Sequence, residues 1–177
     1  MKAKNATIGR FRSLCVGLVC WAMWATAAWA AGGQMLVGRV VAVSDGDTIT
    51  LLVDGHEQHK VRIGGIDAPE KAQPYGQRSK QSLSDLVMHQ NVVADAHKRD
   101  RYGRWVATVR LGATDAGLHQ IQRGMAWHYK AYEKEQALSE RLAYAAAQEV
   151  ARSQRAGLWA SPEPPVPPWD YRKARRQ

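Results

Sequence analysis

MLVGRVVAVSDGDTITLLVDGHEQHKVRIGGIDAPE, residues 35–70, carries most of what the chain says about its fold. Residues 35–43 are rich in valine and read as a first strand, and residues 47–53 read as a second. Asp54-Gly55 is a hairpin turn signal, and residues 60–66 return as a third strand. Within that strand Val61 and Ile63 share one face, which turns Arg62 to the other.

Further along, residues 75–89 place Leu83, Leu86 and Val87 at helical spacing. Residues 91–96 and 105–111 read as two more strands, and residues 115–123 as a helix stopped by Gly124. The longest helix is expected over residues 135–155, with Leu138, Leu142, Ala145 and Ala146 as its buried stripe and Gly157 as its stop. Three strands, a helix, two strands and further helices outline an α+β fold. The expected architecture is a five-stranded OB-fold barrel with about three α-helices, one of them between strands three and four, although the order alone also fits other small α+β domains.

The ends of the chain differ from this middle. Lys2, Lys4, Arg10 and Arg12 precede an uncharged, mostly apolar stretch over residues 14–28, and Ala28-Trp29-Ala30 has the small-x-small form of a cleavage site. Residues 1–30 are therefore expected to be a signal peptide, and the protein to be periplasmic or secreted, without stable membrane association after cleavage. An uncleaved anchor is the alternative, since residues 14–31 hold no charge. Both cysteines, Cys15 and Cys20, fall in this leader, so a cleaved chain has neither a disulfide nor a thiolate metal site.

Removing the four leader cations from the formal net charge of +9 leaves +5. A basic balance favours a polyanionic partner, although a mildly basic solvated surface gives the same number. The expected domain spans residues 31–160. Residues 161–177 form a Pro-rich, basic tail, expected to be extended rather than helical. Its Arg172, Lys173, Arg175 and Arg176 would make a mobile cationic end that either strengthens phosphate contacts or only keeps the terminus soluble.

Four clusters can carry chemistry: Asp45-Gly46-Asp47-Thr48, Arg62 with Ile66-Asp67-Ala68-Pro69-Glu70, Asp100-Arg101-Tyr102-Gly103-Arg104, and Gly124-Met125-Ala126-Trp127. A hairpin centred near Asp54-Gly55 folds strand three along strand two, which brings Asp47 near Arg62 and lets its carboxylate converge with that of Asp67. Convergent carboxylates without Cys or clustered His favour a hard cation with oxygen ligands, calcium or magnesium. Taken singly, Asp45 and Asp67 also fit turns, Glu70 a carboxylate at a helix start, and Arg104 a plain surface arginine.

In their order and spacing the four clusters resemble staphylococcal nuclease and its bacterial relatives, over roughly residues 35–159. The resemblance implies a calcium-dependent endonuclease acting on DNA and RNA with little sequence specificity, preferring single-stranded or frayed regions, leaving 3′-phosphate ends and working as a monomer. It implies Asp47, Asp67 and the main-chain carbonyl of Ala68 as calcium ligands, Arg62 and Arg104 as the grip on the scissile phosphate, and Glu70 as general base toward the attacking water. Asp45 matches an acid supporting these. Arg101, Tyr102, Tyr129 and Tyr132 match residues lining the nucleotide, with Tyr132 the better of the last two. His128 reads as a polar surface residue. Gly117 falls where the family often has asparagine, and the loop from Glu70 to Tyr75 is shorter than in staphylococcal nuclease. The other readings are a non-catalytic nucleic-acid-binding OB-fold module and a structural calcium-binding protein. The full set of acids and arginines weighs against both.

Overall fold

The computed structural model describes residues 33–176. The expected leader and its cleavage site lie outside them. A meander of β1 (Gln34–Asp45), β2 (Thr48–Val53) and β3 (Glu57–Ile63) opens the fold. Its tight turn sits at Asp54 and Gly55, both with positive φ (50° and 75°), the backbone that Asp-Gly hairpins favour. In the antiparallel register Thr48 lies opposite Arg62 and Ile49 opposite Val61. Val61 and Ile63 are fully buried, while Arg62 points the other way.

β1 is long because it serves two neighbours. Its second half pairs with β2 and its first half with β5 (Asn91–Arg99), and register shifts after Val40 and after Val43 bend it between them. β5 pairs with β6 (Trp105–Leu111), and β6 runs parallel to β3 from Val61↔Trp105 to Ile63↔Ala107. That pairing closes a five-stranded barrel in the order β3-β2-β1-β5-β6. Apolar side chains from all five strands fill it, among them Val40, Ile49, Val61, Ala94 and Val109, and Leu83 and Val87 of α1 (Gly76–Val87) join this core. With that helix between β3 and β5, the architecture is the α+β OB-type barrel expected from the sequence.

The third strand starts and ends three residues earlier than the sequence suggests. Gly64 and Gly65 interrupt it, Gly65 at φ 70°, and the chain then leaves the barrel as β4 (Ile66–Asp67). A two-residue β7 (Thr114–Asp115) leads into α2 (Ala116–Gln122), whose N-terminus is capped by the Asp115 carboxylate accepting from Leu118 N at 3.0 Å. After α2 comes β8 (Trp127–His128), which pairs antiparallel with β4. The break at the glycines thus delivers Asp67 beside Trp127 instead of along the barrel wall.

Two helices differ from expectation. The long helix α3 (Leu138–Ser153) buries Tyr144, Gln148 and Ala151, whereas Leu138 and Leu142 are 60% and 61% exposed. The buried polar groups are matched: Tyr144 Oη donates to Asp115 Oδ1 at 2.8 Å, and Gln148 Oε1 accepts from His128 N at 3.0 Å. Gly117 belongs to the same contact. A Cβ there would lie 2.5 Å from Tyr144 Oη, so the hydroxyl occupies the space that a side chain at 117 would need.

The tail is not simply extended. After residues 161–167 it forms α4 (Pro168–Ala174). Proline lacks only an N–H that the first helical turn does not use, and its fixed φ suits that position, so Pro168 starts the helix. Trp169 packs against Trp127 and Tyr129, with ring centroids 6.3 and 5.4 Å apart. Gln73 Nε2 donates to Val166 O at 2.5 Å and Tyr171 Oη to Ala72 O at 3.3 Å, and these bonds tie the segment to the loop after Glu70.

Candidate active site

The Asp45–Thr48 turn is held from behind. Gly46 is pressed so closely on α1 that a Cβ would meet Ser79 Oγ at 1.8 Å, and its carbonyl accepts from Gln120 Nε2 of α2 at 2.9 Å. Asp47, 7% exposed, is therefore fixed in position. Its Oδ1 accepts from Thr48 Oγ1 at 2.8 Å and its Oδ2 from Ala68 N at 3.1 Å, which links the turn to the strand carrying Asp67.

Asp67 is 1% exposed, and Arg62 lies between the two acids. Arg62 Nη2 is 3.5 Å from Asp47 Oδ2 and 3.2 Å from Asp67 Oδ1, and donates to Ile66 O at 3.1 Å. Burial works against the Arg62 charge, but Asp47 and Asp67 outweigh it and hold the guanidinium above its ordinary range. Burial is also the largest influence on Asp67 and raises its pKa. Hydrogen bonds from Arg172 oppose that shift and the Asp47 charge adds to it. Burial and then the Asp47 charge push Asp45 up to about 6.

Arg104 is aimed by Asp100. Asp100 Oδ2 accepts from Arg104 Nε at 2.8 Å and lies 2.7 Å from Nη2, while Oδ1 accepts from the backbone N–H groups of Tyr102 and Arg104. Burial alone would raise the Asp100 pKa, but these bonds overcome it and hold the carboxyl below its usual range. A single carboxylate thus shapes the turn and orients the arginine, whose Nη1 also reaches Thr48 Oγ1 at 3.3 Å. Asp100 belongs to the third sequence cluster, but only the folded turn reveals this role.

Glu70 follows Pro69 in a turn closed by Gln73 N donating to Glu70 O at 2.8 Å. Gly76 allows this closeness, because a Cβ there would lie 2.0 Å from Glu70 O. Asp45, Asp47, Arg62, Asp67, Ala68, Glu70, Arg101, Tyr102, Arg104, Tyr129 and Tyr132 all line one cleft of about 570 Å³. Tyr102 is 65% exposed, and the Arg101 and Arg104 guanidinium groups lie 4.8 and 5.5 Å from its ring. Tyr129 and Tyr132 stand edge to face at 5.3 Å, with Lys98 over Tyr132.

His128 is not a surface residue. It is 3% exposed, its Nε2 lies 3.0 Å from Gln136 Oε1, and burial lowers its pKa. Arg172, read from the sequence as part of a free cationic end, instead enters the cleft. Its Nη1 lies 3.2 Å from Asp67 Oδ1 and 2.8 Å from Glu70 Oε1, and its Nη2 lies 2.7 Å from Asp67 Oδ2. Of the other tail cations, Arg176 also lines the cleft, and Arg175 bonds Tyr171 Oη at 3.0 Å.

The donor set suits a hard divalent cation. Only oxygens converge, and a guanidinium already stands as a cation on Asp67 and Glu70. Among the described residues no group of three or more His, Cys, Asp or Glu side chains is placed to hold a metal ion. A cation here would therefore be held by Asp47 and Asp67, with main-chain oxygen and water completing its shell.

A small barrel that gathers buried carboxylates and converging guanidinium groups in one open cleft defines an OB-fold protein built to receive an anionic, phosphate-like ligand. The chain belongs to the staphylococcal nuclease family: the family model described as "Staphylococcal nuclease homologue" matches residues 60–161. It is 43% identical over 138 residues to an uncharacterized endonuclease of Haemophilus influenzae, covering 78% of this chain and 74% of that one. It is 37% identical over 148 residues to a micrococcal nuclease of Shigella flexneri (78% and 82% covered). It is also 37% identical over 158 residues to the protein ParB of Escherichia coli (84% of each chain).

Proposed function

We propose that this protein is a calcium-dependent endonuclease that hydrolyses phosphodiester bonds of DNA and RNA, preferring single-stranded or frayed regions and leaving 3′-phosphate ends. The observation that carries the reading is the meeting of Arg62, Arg104 and the Asp47–Asp67 pair in one cleft. In-line attack of water builds negative charge on the phosphate oxygens, and two fixed guanidinium forks offset it without having to reorganise. A bound divalent cation would supply further charge stabilisation from Asp47, Asp67 and the Ala68 carbonyl.

Glu70 stands beside this cluster to take the proton as the water oxygen bonds phosphorus. The bond from phosphorus to the 5′ oxygen breaks, and that oxygen leaves as a hydroxyl after taking a proton from solvent. Tyr102, Tyr129 and Tyr132 offer aromatic faces on which any base can stack, which suits low sequence selectivity. The same reading takes the chain to be exported and to act as a monomer in the periplasm or outside the cell, where calcium is available.

Incubating the purified protein with heat-denatured DNA, with calcium or with chelator, tests the proposal. Cleavage with calcium and its loss in chelator are expected, with 3′-phosphate termini on the products. Full cleavage in chelator, or 5′-phosphate termini, would overturn it.

A further inference from the structure

We propose that Arg172 is a further residue of this site: a built-in counter-cation that holds Asp67 and Glu70 in place of the divalent ion and so sets the cation concentration at which the site fills. The inference rests on the cation-dependent reading above and adds to it a residue contributed from outside the matched region, which ends at residue 161.

The geometry is that of mutual exclusion. Arg172 places Nη1 and Nη2 on the two oxygens of Asp67, and Arg62 places Nη2 on Oδ1 as well. Both oxygens of a carboxylate that is 1% exposed are therefore taken by guanidinium donors. A calcium ion binds oxygen directly, at about 2.3–2.6 Å. It needs an Asp67 lone pair facing the cleft, and a guanidinium and a divalent cation repel each other at such separations. For the ion to bind, one arginine must give way.

Arg172 is the one free to move. The Arg62 side chain is 16% exposed and is also fixed by the Ile66 carbonyl, whereas the Arg172 side chain is 35% exposed. The anchors of α4 do not involve the acids. Trp169 sits against Trp127 and Tyr129, Val166 O accepts from Gln73, and Tyr171 Oη donates to Ala72 O. The Arg172 side chain can therefore swing away from Asp67 while its helix stays docked and keeps it within reach for rebinding. Glu70 follows the same logic: its Oε1 accepts from Arg172 Nη1, and releasing that bond frees the oxygen for water.

When a ligand site is closed for most of the time, apparent affinity falls by the fraction open. An arginine resident nine-tenths of the time weakens cation binding about tenfold. Isothermal titration of calcium into the full chain and into Arg172→Gln reads this directly, with no substrate present. The variant is expected to bind calcium about tenfold more tightly, and Arg172→Lys, which cannot fork onto both oxygens, to fall between the two. Trp169→Ala loosens the helix without touching an acid, and it is expected to move affinity in the same direction should Arg172→Gln not fold, as judged by its thermal unfolding.

Equal or weaker calcium binding by folded Arg172→Gln, or by Trp169→Ala should that variant not fold, overturns the proposal and leaves the nuclease reading standing. Failure of both the wild type and its variants to bind any divalent cation overturns the two together.

Discussion

Replacing Arg104 by alanine is expected to lower turnover on denatured DNA by about 10²–10³-fold while leaving thermal stability nearly unchanged. The side chain is aimed into the cleft by Asp100, but the turn that carries it does not depend on it. Asp100 Oδ1 accepts the backbone N–H groups of Tyr102 and Arg104, and both donors survive the substitution. What disappears is a fixed positive fork at the place where the proposed mechanism puts the developing phosphate charge. Arg104→Lys is expected to fall nearly as far, because an ammonium cannot pair two oxygens at once. Turnover at saturating substrate, measured beside a melting curve, checks both effects. Turnover close to wild type in Arg104→Ala would remove this residue from the catalytic set.

Arg62→Ala makes an informative contrast, because Arg62 is structural as well. It lies among Asp47, Asp67 and the Ile66 carbonyl with only 16% of its side chain exposed. Removing one member of such a buried group costs about 3–5 kcal/mol, since Asp47 stays desolvated without a guanidinium partner and Asp67 keeps only Arg172. Of the two arginines that the cleft offers to phosphate, only Arg104 is expected to be removable without harm to the fold.

The barrel was legible because alternation and turn chemistry agree with the tertiary answer. Val61 and Ile63 are buried, Arg62 faces the acids, and the Asp54-Gly55 turn adopts the positive φ values that its residues favour. The face of α3 was not legible. Leu138 and Leu142 are more apolar than Tyr144 and Gln148, yet the polar pair is buried because Asp115 and the His128 backbone bond them. Satisfaction of that kind depends on partners far away in sequence, which no local period records.

The acids and arginines of the cleft were legible because short strands and turns bring them together. Asp47 reaches Ala68 across a hairpin, a separation of 21 residues. Arg172 reaches Asp67 across 105 residues, from a segment whose prolines suggest an extended chain. The signal present in the sequence was the pair Trp169 and Tyr171. Aromatic side chains in a short terminal segment find a surface to cover when one is nearby, and here the surface is the rim of the cleft.

Gly124→Ala is expected to be the most destabilising of the small substitutions, at about 3–5 kcal/mol, the range that backbone strain combined with a buried clash produces. Gly124 ends α2 at φ 63°, a conformation that costs an L-residue about 1–2 kcal/mol on its own. The larger part is steric. A Cβ would lie 2.1 Å from the carbonyl oxygen of Ala156, and Gly157 on the other side has φ 53° and would place its own Cβ 2.3 Å from Gly124 O. Two glycines therefore press the end of α2 against the chain leaving α3, and Leu158 N donates to Gly124 O at 2.8 Å across the contact. Neither backbone can retreat without breaking that bond. The strain also has a route to the cleft: three residues after Gly124 begins β8, whose Trp127 pairs with Asp67 and whose His128 pairs with Ile66. Separation of α2 from α3 would loosen β8 and, with it, the strand that presents Asp67. Urea unfolding at 25 °C measures the loss, and the variant's calcium affinity shows whether Asp67 has moved. A loss below about 1 kcal/mol, less than the backbone conformation alone should cost, would mean that the two segments are free to separate and that this contact does not hold the site.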